Sequence, residues 1–231
     1  MRDYDLNVMP VVDENGVLKG IITIDDVIDV MQEEATEDIY KGAAMEGSEI
    51  DYLRTSPIIL WQKRVLWLAA LSVSEILTVA VNTSYANLLT QQIILQSYIA
   101  ALIGTGGNTG SQSAVLIIRA ISQGQIRGRD ALKVLVKEFS TGLLLGATLA
   151  VFAFIRVLVL KSDAGTPIAL TIALAVFAIV FTANIVGAML PIAFYKLKID
   201  PALTSSPFLA TIMDATGLLI YFNIAKLVLG I

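Results

Sequence analysis

The 231 residues include no histidine and no cysteine. Without imidazole or thiolate, soft and borderline metals lose their usual protein ligands. Any cation handled by this chain must accept carboxylates, amides, carbonyls or water, a set that suits Mg, Ca or Mn. The missing cysteine also excludes structural disulfides and a thiol nucleophile, and the missing histidine removes the commonest general base. Enzymatic chemistry is therefore not expected. Charge is scarce as well: 16% of residues are charged, against about 25% in ordinary soluble domains. What is abundant is apolar, with 56% hydrophobic residues and a mean hydropathy of +0.75.

That balance places the chain in a membrane. A hydrocarbon core of ~30 Å needs about 20 apolar residues per helical span. Five stretches reach that length: 65–89, 93–118, 132–160, 168–195 and 203–228. The segment before them is acidic and polar, unlike a cleavable signal, so the first span is expected to address the chain to its membrane.

Charges divide sharply along the chain. Residues 1–54 hold 14 of the 20 acids and 4 of the 16 bases, a net of −10, while residues 55–231 carry a net of +6. The expected organisation is an acidic polar front followed by a five-helix membrane unit. With the N-terminus in the cytoplasm, Lys63, Arg64, Arg119, Arg127, Arg129, Lys133, Lys137, Lys196 and Lys198 all fall on the cytoplasmic side. The other side receives Lys161, Lys226 and Arg156. This asymmetry fits the positive-inside rule and puts the C-terminus outside.

Within the last apolar stretch, Asp214 lies mid-span and Lys226 near the end. An ionised side chain at mid-bilayer costs ~3 kcal/mol on insertion scales, and such residues commonly mark ion or proton routes. The other reading is a packing residue satisfied by a neighbouring serine or amide. The second stretch holds Gly104-Thr105-Gly106-Gly107-Asn108-Thr109-Gly110-Ser111-Gln112. So many glycines in an apolar span permit close helix approach or local unwinding. Asn108 and Gln112, four apart, project from one face with Thr105 on the same stripe, and amides suit a hydrated cation. A small-residue packing motif is the alternative.

In the front segment, residues 6–12 and 17–24 read as strands joined by Asp13-Glu14-Asn15-Gly16, a strong hairpin signal. Asp25 or Asp26 is expected to cap a helix to about Glu34, with Val27, Ile28, Val30 and Met31 as its buried stripe. The strand–turn–strand–helix ending in Gly20-Ile21-Ile22-Thr23-Ile24-Asp25-Asp26 resembles the closing half of a cystathionine-β-synthase (CBS) domain. That resemblance implies a Thr-x-x-Asp nucleotide position at Thr23 and Asp26, of which half the domain is present; a small β-β-α cap is the equal alternative. Glu34, Glu37, Asp38 and Lys41 follow at helical spacing on one face. They form either a solvated acidic face or a divalent-cation sensor, ended by Gly42 and Gly47. The division expected is 1–32, a partial CBS-like segment; 33–56, an acidic connecting helix; and 57–231, the transmembrane domain.

The glycine-rich run followed by Arg119 resembles the second-helix signature of MgtE-type magnesium channels. Asp200-Pro201-Ala202-Leu203 and Asp214-Ala215-Thr216-Gly217-Leu218-Leu219-Ile220-Tyr221 resemble that family's fifth helix and its entry. Ala183-Asn184-Ile185-Val186-Gly187-Ala188-Met189-Leu190-Pro191 is similar to its fourth, and Thr36-Glu37-Asp38-Ile39 to the start of its plug helix. The resemblance implies a membrane all-α homodimer in the plasma membrane, with a pore between two copies of the second and fifth helices. It implies Mg2+ as cargo and regulator, with Asp214 as the selectivity carboxylate beside the Ala210 carbonyl and the Asn108 side chain. It implies regulatory cation sites at Glu34, Glu37 and Asp38 with Asp200, so that intracellular Mg2+ closes the pore. Ser206, where family members carry asparagine, and Ile99-Ala100, in place of a proline-containing segment, depart from the pattern. So does Glu75 in the first span, read as a lateral anchor, a second cation ligand or a coupling site.

Two other classes compete with this reading. A membrane aspartyl protease needs two facing aspartates, whereas Asp200 lies at a loop and no Gly-x-Gly-Asp element is present. A Na+- or H+-coupled divalent-cation transporter of the same fold is kept open by Glu75, and Mn2+ or Co2+ could take the same oxygen ligands. Lipid and a second copy are the expected partners, a nucleotide at an intact CBS region a further one, and no nucleic acid is expected.

Overall fold

The computed structural model describes residues 1, 4–45, 51–160 and 165–230. Gly47 and Lys161, assigned above as a helix breaker and an outer charge, lie outside the described residues. Strands β1 (Val8–Val12) and β2 (Leu18–Thr23) pair antiparallel, with an irregularity between Val11 and Val12. Asp13 shapes the turn: its Oδ1 accepts from the N–H groups of Asn15 and Val17, and Gly16 supplies φ +79°.

Helix α1 (Ile24–Gly42) follows directly. Its N-cap is Thr23 rather than Asp25 or Asp26; the Asp26 carboxylate reaches back to accept from the Thr23 N–H at 3.1 Å and hydroxyl at 2.6 Å. The helix does not stop near Glu34. It continues into the acidic connector, 19 residues in all, because no glycine or proline intervenes before Gly42. The stripe expected to be buried is not: α1 has no buried residue, and Ile28, Val30 and Met31 are exposed. One hairpin and one helix offer too little surface to cover it.

The remaining long helices are α2 (Pro57–Ser84), α4 (Gln96–Ser122), α5 (Ala131–Leu160), α6 (Gly165–Lys196) and α7 (Ser206–Leu229), with a short α3 (Ala86–Gln91) after α2. Ser56 and Ser205 cap α2 and α7, each followed by a proline in the first turn, where the missing N–H costs nothing. Among the described residues, four helical segments are long and apolar enough to cross a membrane: α2, 128–160, α6 and α7. Helix α4 has 27 residues, about 40 Å at 1.5 Å per residue. Its polar, glycine-rich middle keeps it from the same standing.

Helix α6 is the hub, packed by α4, α5 and α7. The core comprises Ile172, Ile179 and Val180 of α6, Leu102 of α4, and Leu218, Tyr221 and Phe222 of α7. The buried Tyr221 hydroxyl donates to the Leu95 carbonyl at 2.9 Å, tying α7 to the turn that starts α4. Glycines let α4 and α6 cross closely: a Cβ added to Gly187 would sit 2.2 Å from the Gly110 carbonyl oxygen. Helix α2 stands apart, with only Val81 buried. It meets α7 around Tyr85, which stacks on Phe222 at 4.9 Å and lies under Lys226.

Candidate functional site

Two helices bring the mid-span polar residues together. On α7, Asp214 lies one turn beyond Ala210, and on α4 the glycines allow close approach: a Cβ on Gly107 would be 3.4 Å from Ala210. Asn108, Ser111, Ser206, Ala210 and Asp214 consequently line one pocket of about 300 Å³. Ser206 has its backbone carbonyl 3.5 Å from the Ser111 hydroxyl. The rest of the expected stripe diverges. Thr105 turns its hydroxyl onto the Ala101 carbonyl of its own helix, and Gln112 is exposed and outside the pocket lining.

A larger cavity of about 900 Å³ lies against α1, lined by Asp38 and Gly42 of α1, Arg119 and Ser122 of α4, and Ser206 and Pro207 of α7. Ser206 and Pro207 line both spaces. The two spaces therefore adjoin at the start of α7, between the acidic face of α1 and Asp214.

At the α1 end the charges are arranged around an ammonium. Lys41 Nζ lies 2.5 Å from both Glu37 and Asp200, joining α1 to the loop before α7 across 159 positions of sequence. Asp38 is half-buried, and burial first, then the Asp200 charge, raises its carboxyl above the usual value; Lys41 opposes this and Glu34 and Glu37 add to it. Burial also pushes Asp200 up. The hydrogen bonds from Lys41 and the Ala202 N–H, with the Lys41 charge, outweigh it and hold the carboxyl below its usual value. The bonds that the Lys41 ammonium donates to Asp200 and then Glu37 raise Lys41 in turn. Glu34 is exposed. Among the described residues no three acidic side chains converge closely enough to enclose a metal.

Glu75 is exposed on α2 and does not line the Asp214 pocket. Thr23 and Asp26, the expected nucleotide position, are hydrogen-bonded to each other.

Sequence reasoning missed two features. Lys41 was grouped with the acidic face, and its bridging position was not foreseen. Glu138 of α5, bonded to Asn184 of α6 at 2.8 Å, was not singled out at all. The criterion applied to Asp214, a lone carboxylate in an apolar run, would have found it.

Sequence comparison relates the chain to known proteins. The MgtE family model, described as a divalent cation transporter, matches residues 99–224, and the CBS domain model matches residues 1–33. A "Magnesium transporter MgtE" of Thermus thermophilus is 46% identical over 230 residues, covering 99% of this chain and 50% of that protein. Proteins of the same description from Enterococcus faecalis and Bacillus subtilis are 34% and 33% identical, over 98% and 96% of this chain and 49% and 48% of theirs. The chain thus spans about half the length of these curated relatives.

Proposed function

Because the chain belongs to the MgtE family of divalent cation transporters, we propose that it carries hydrated Mg2+ across the plasma membrane past Asp214, through a pore completed by a second copy. The observation that carries this reading is the single pocket shared by Asn108, Ala210 and Asp214. Six waters around an octahedral ion occupy roughly 180 Å³ at about 30 Å³ each. A pocket of about 300 Å³ accommodates that ion with its water. Keeping the water matters, since Mg2+ gives it up reluctantly.

Asp214 supplies the charge, doubled by symmetry in a dimer, which favours a divalent ion over Na+ or K+. Asn108 and the Ala210 carbonyl accept hydrogen bonds from the ion's water without adding charge. In this reading α4 is the fifth span, the N-terminus faces the cytoplasm and the C-terminus lies outside.

Regulation follows from the acidic end of the route. Internal Mg2+ binds among Glu34, Glu37, Asp38 and Asp200, displaces the Lys41 ammonium and holds α1 against the α7 entry. A ligand shifts a gate only by its preference for one state. Two charges in place of one supply that preference.

A second reading, transport coupled to Na+ or H+, rests on Glu75, a second carboxylate within an apolar helix, α2. The deciding experiment is Mg2+ influx into proteoliposomes containing a Mg2+-sensitive dye, comparing the chain with Asp214→Ala. Influx driven by a Mg2+ gradient alone and lost in the variant is the expected result. Influx surviving in the variant would refute the Asp214 route, and a requirement for Na+ or protons would favour coupling.

A further inference from the structure

Glu138 is a half-buried carboxylate for which the proposed route has no use. Its Oε2 accepts from Asn184 Nδ2 of α6 at 2.8 Å and lies 3.3 Å from Ser113 Oγ of α4. Asn184 Nδ2 also donates to the Glu138 main-chain carbonyl at 2.8 Å, and Ser113 Oγ lies 3.1 Å from the Asn184 carbonyl. Ser113 and Asn184 are both buried. Three helices therefore meet at one carboxylate.

The position of this knot gives it leverage. Ser113 lies three residues beyond Gly110 and Asn184 three before Gly187, one turn from the close Gly110–Gly187 approach. Along α4, Gly107 and Asn108 face Ala210 and the Asp214 pocket. A smooth crossing of glycines and alanines fixes distance but resists sliding and rotation weakly. In lipid no hydrophobic force adds to it. A charge-assisted hydrogen bond is directional and short, and supplies what the glycines lack.

We propose that Glu138 is a positioning residue for the cation route, holding Asn184 and Ser113 so that α4 presents Asn108 to Asp214 in one register. This rests on the reading of the Asp214 pocket as a cation route. Glu138 does not touch the cation; it acts through α4.

The test uses the full chain in proteoliposomes, comparing Glu138→Ala and Glu138→Gln. Losing a hydrogen bond to a charged group should raise the Mg2+ half-saturation concentration, or lower the preference for Mg2+ over Ca2+, by about tenfold in Glu138→Ala. Glu138→Gln, whose amide oxygen still accepts from Asn184, should recover most of that loss. Asn184→Leu removes the donor from the other side and should reproduce the defect, even if Glu138→Ala does not fold.

A second readout does not depend on transport. The chain has no cysteine. The Gly107 Cβ position lies 3.4 Å from the Ala210 Cβ, close to the ~3.5–4.5 Å of a disulfide. The pair Gly107→Cys and Ala210→Cys should cross-link in the parent and Glu138→Gln backgrounds, and severalfold less in Glu138→Ala. Wild-type selectivity, half-saturation and cross-linking in folded Glu138→Ala would overturn the proposal. So would a lower maximal rate alone, which a purely structural residue would give. Equal influx in the parent and Asp214→Ala would instead remove the cation-route reading, while the cross-linking would still decide Glu138.

Discussion

Replacing Gly187 with alanine tests the packing logic that the whole site depends on. The added Cβ would lie 2.2 Å from the Gly110 carbonyl oxygen and 2.9 Å from that residue's carbonyl carbon and Cα. A comfortable carbon–oxygen contact is about 3.3 Å, so the gap must open by about 1 Å. All three neighbours are backbone, and no side chain can swing aside; α4 and α6 must separate as bodies. Overpacking of this kind costs about 1–3 kcal/mol, before any loss at the nearby Ser113–Asn184–Glu138 knot. At about 2–4 °C per kcal/mol for a chain of this size, thermal unfolding in detergent should shift down by about 2–12 °C. Gly217→Ala is the matched control, since its Cβ would lie 3.8 Å from Ile103 and Ile179, an ordinary contact. The separation should also weaken Mg2+ influx, because α4 carries Asn108 into the Asp214 pocket. A Gly187→Ala protein with unchanged unfolding temperature and influx, or one matched by Gly217→Ala, would refute the reasoning.

Other outcomes can be stated more briefly. Lys41→Met removes an ammonium that a regulatory cation must displace. The bridge is partly exposed and worth ~1 kcal/mol or less, so the internal Mg2+ concentration giving half-inhibition should fall by up to about fivefold; an unchanged or higher value counts against competition. Asp200 is held below 3.8 and Lys41 above 10.5, so the bridge's stabilisation is present across the interval between. It is lost as pH falls through the depressed Asp200 value, and the stability difference between wild type and Lys41→Met should be flat from about pH 5 to 9. Asp38 has the opposite sign: its raised carboxyl binds protons more readily folded than unfolded, so it costs stability as pH rises above 3.8. Asp38→Asn should therefore unfold at a higher temperature than wild type at pH 7, an advantage that shrinks towards pH 4. Tyr221→Phe removes the donor to the Leu95 carbonyl and should destabilise the protein by about 0.5–1.5 kcal/mol in chemical unfolding. A smaller loss would mean that water replaces the hydroxyl there.

Much of the front segment was legible because its determinants are neighbours in sequence. Asn15-Gly16 makes the turn with Asp13 two residues away, and β-branched residues flank it. The same local logic misplaced the cap by two or three positions, because Thr23 and Asp26 exchange roles within a single turn. It also predicted a buried stripe on α1 that the structure leaves exposed. Periodicity marks which face is apolar; whether that face is covered depends on what else is packed there.

In the membrane unit, a lone carboxylate in an apolar run is a conspicuous local signal, and it identified Asp214 and Glu75 without any contact information. Ala210 carries no such mark and entered only through family resemblance. Gly107 explains why α4 and α7 can approach there.

Sequence by itself determined composition, the exclusion of thiolate and imidazole ligands, the apolar spans and the polar residues that do not belong in them. These are properties of single windows of chain, where each residue's transfer cost and helical spacing suffice. Tertiary structure alone decided that Lys41 meets Asp200 across 159 positions and that Glu138 meets Asn184 across 46. It also decided that Asn108 faces Asp214 while Gln112 does not. Those pairings depend on the depth and rotation of one helix against another. Backbone contacts such as Gly110 against Gly187 set both, and neither is written in the period of a single segment.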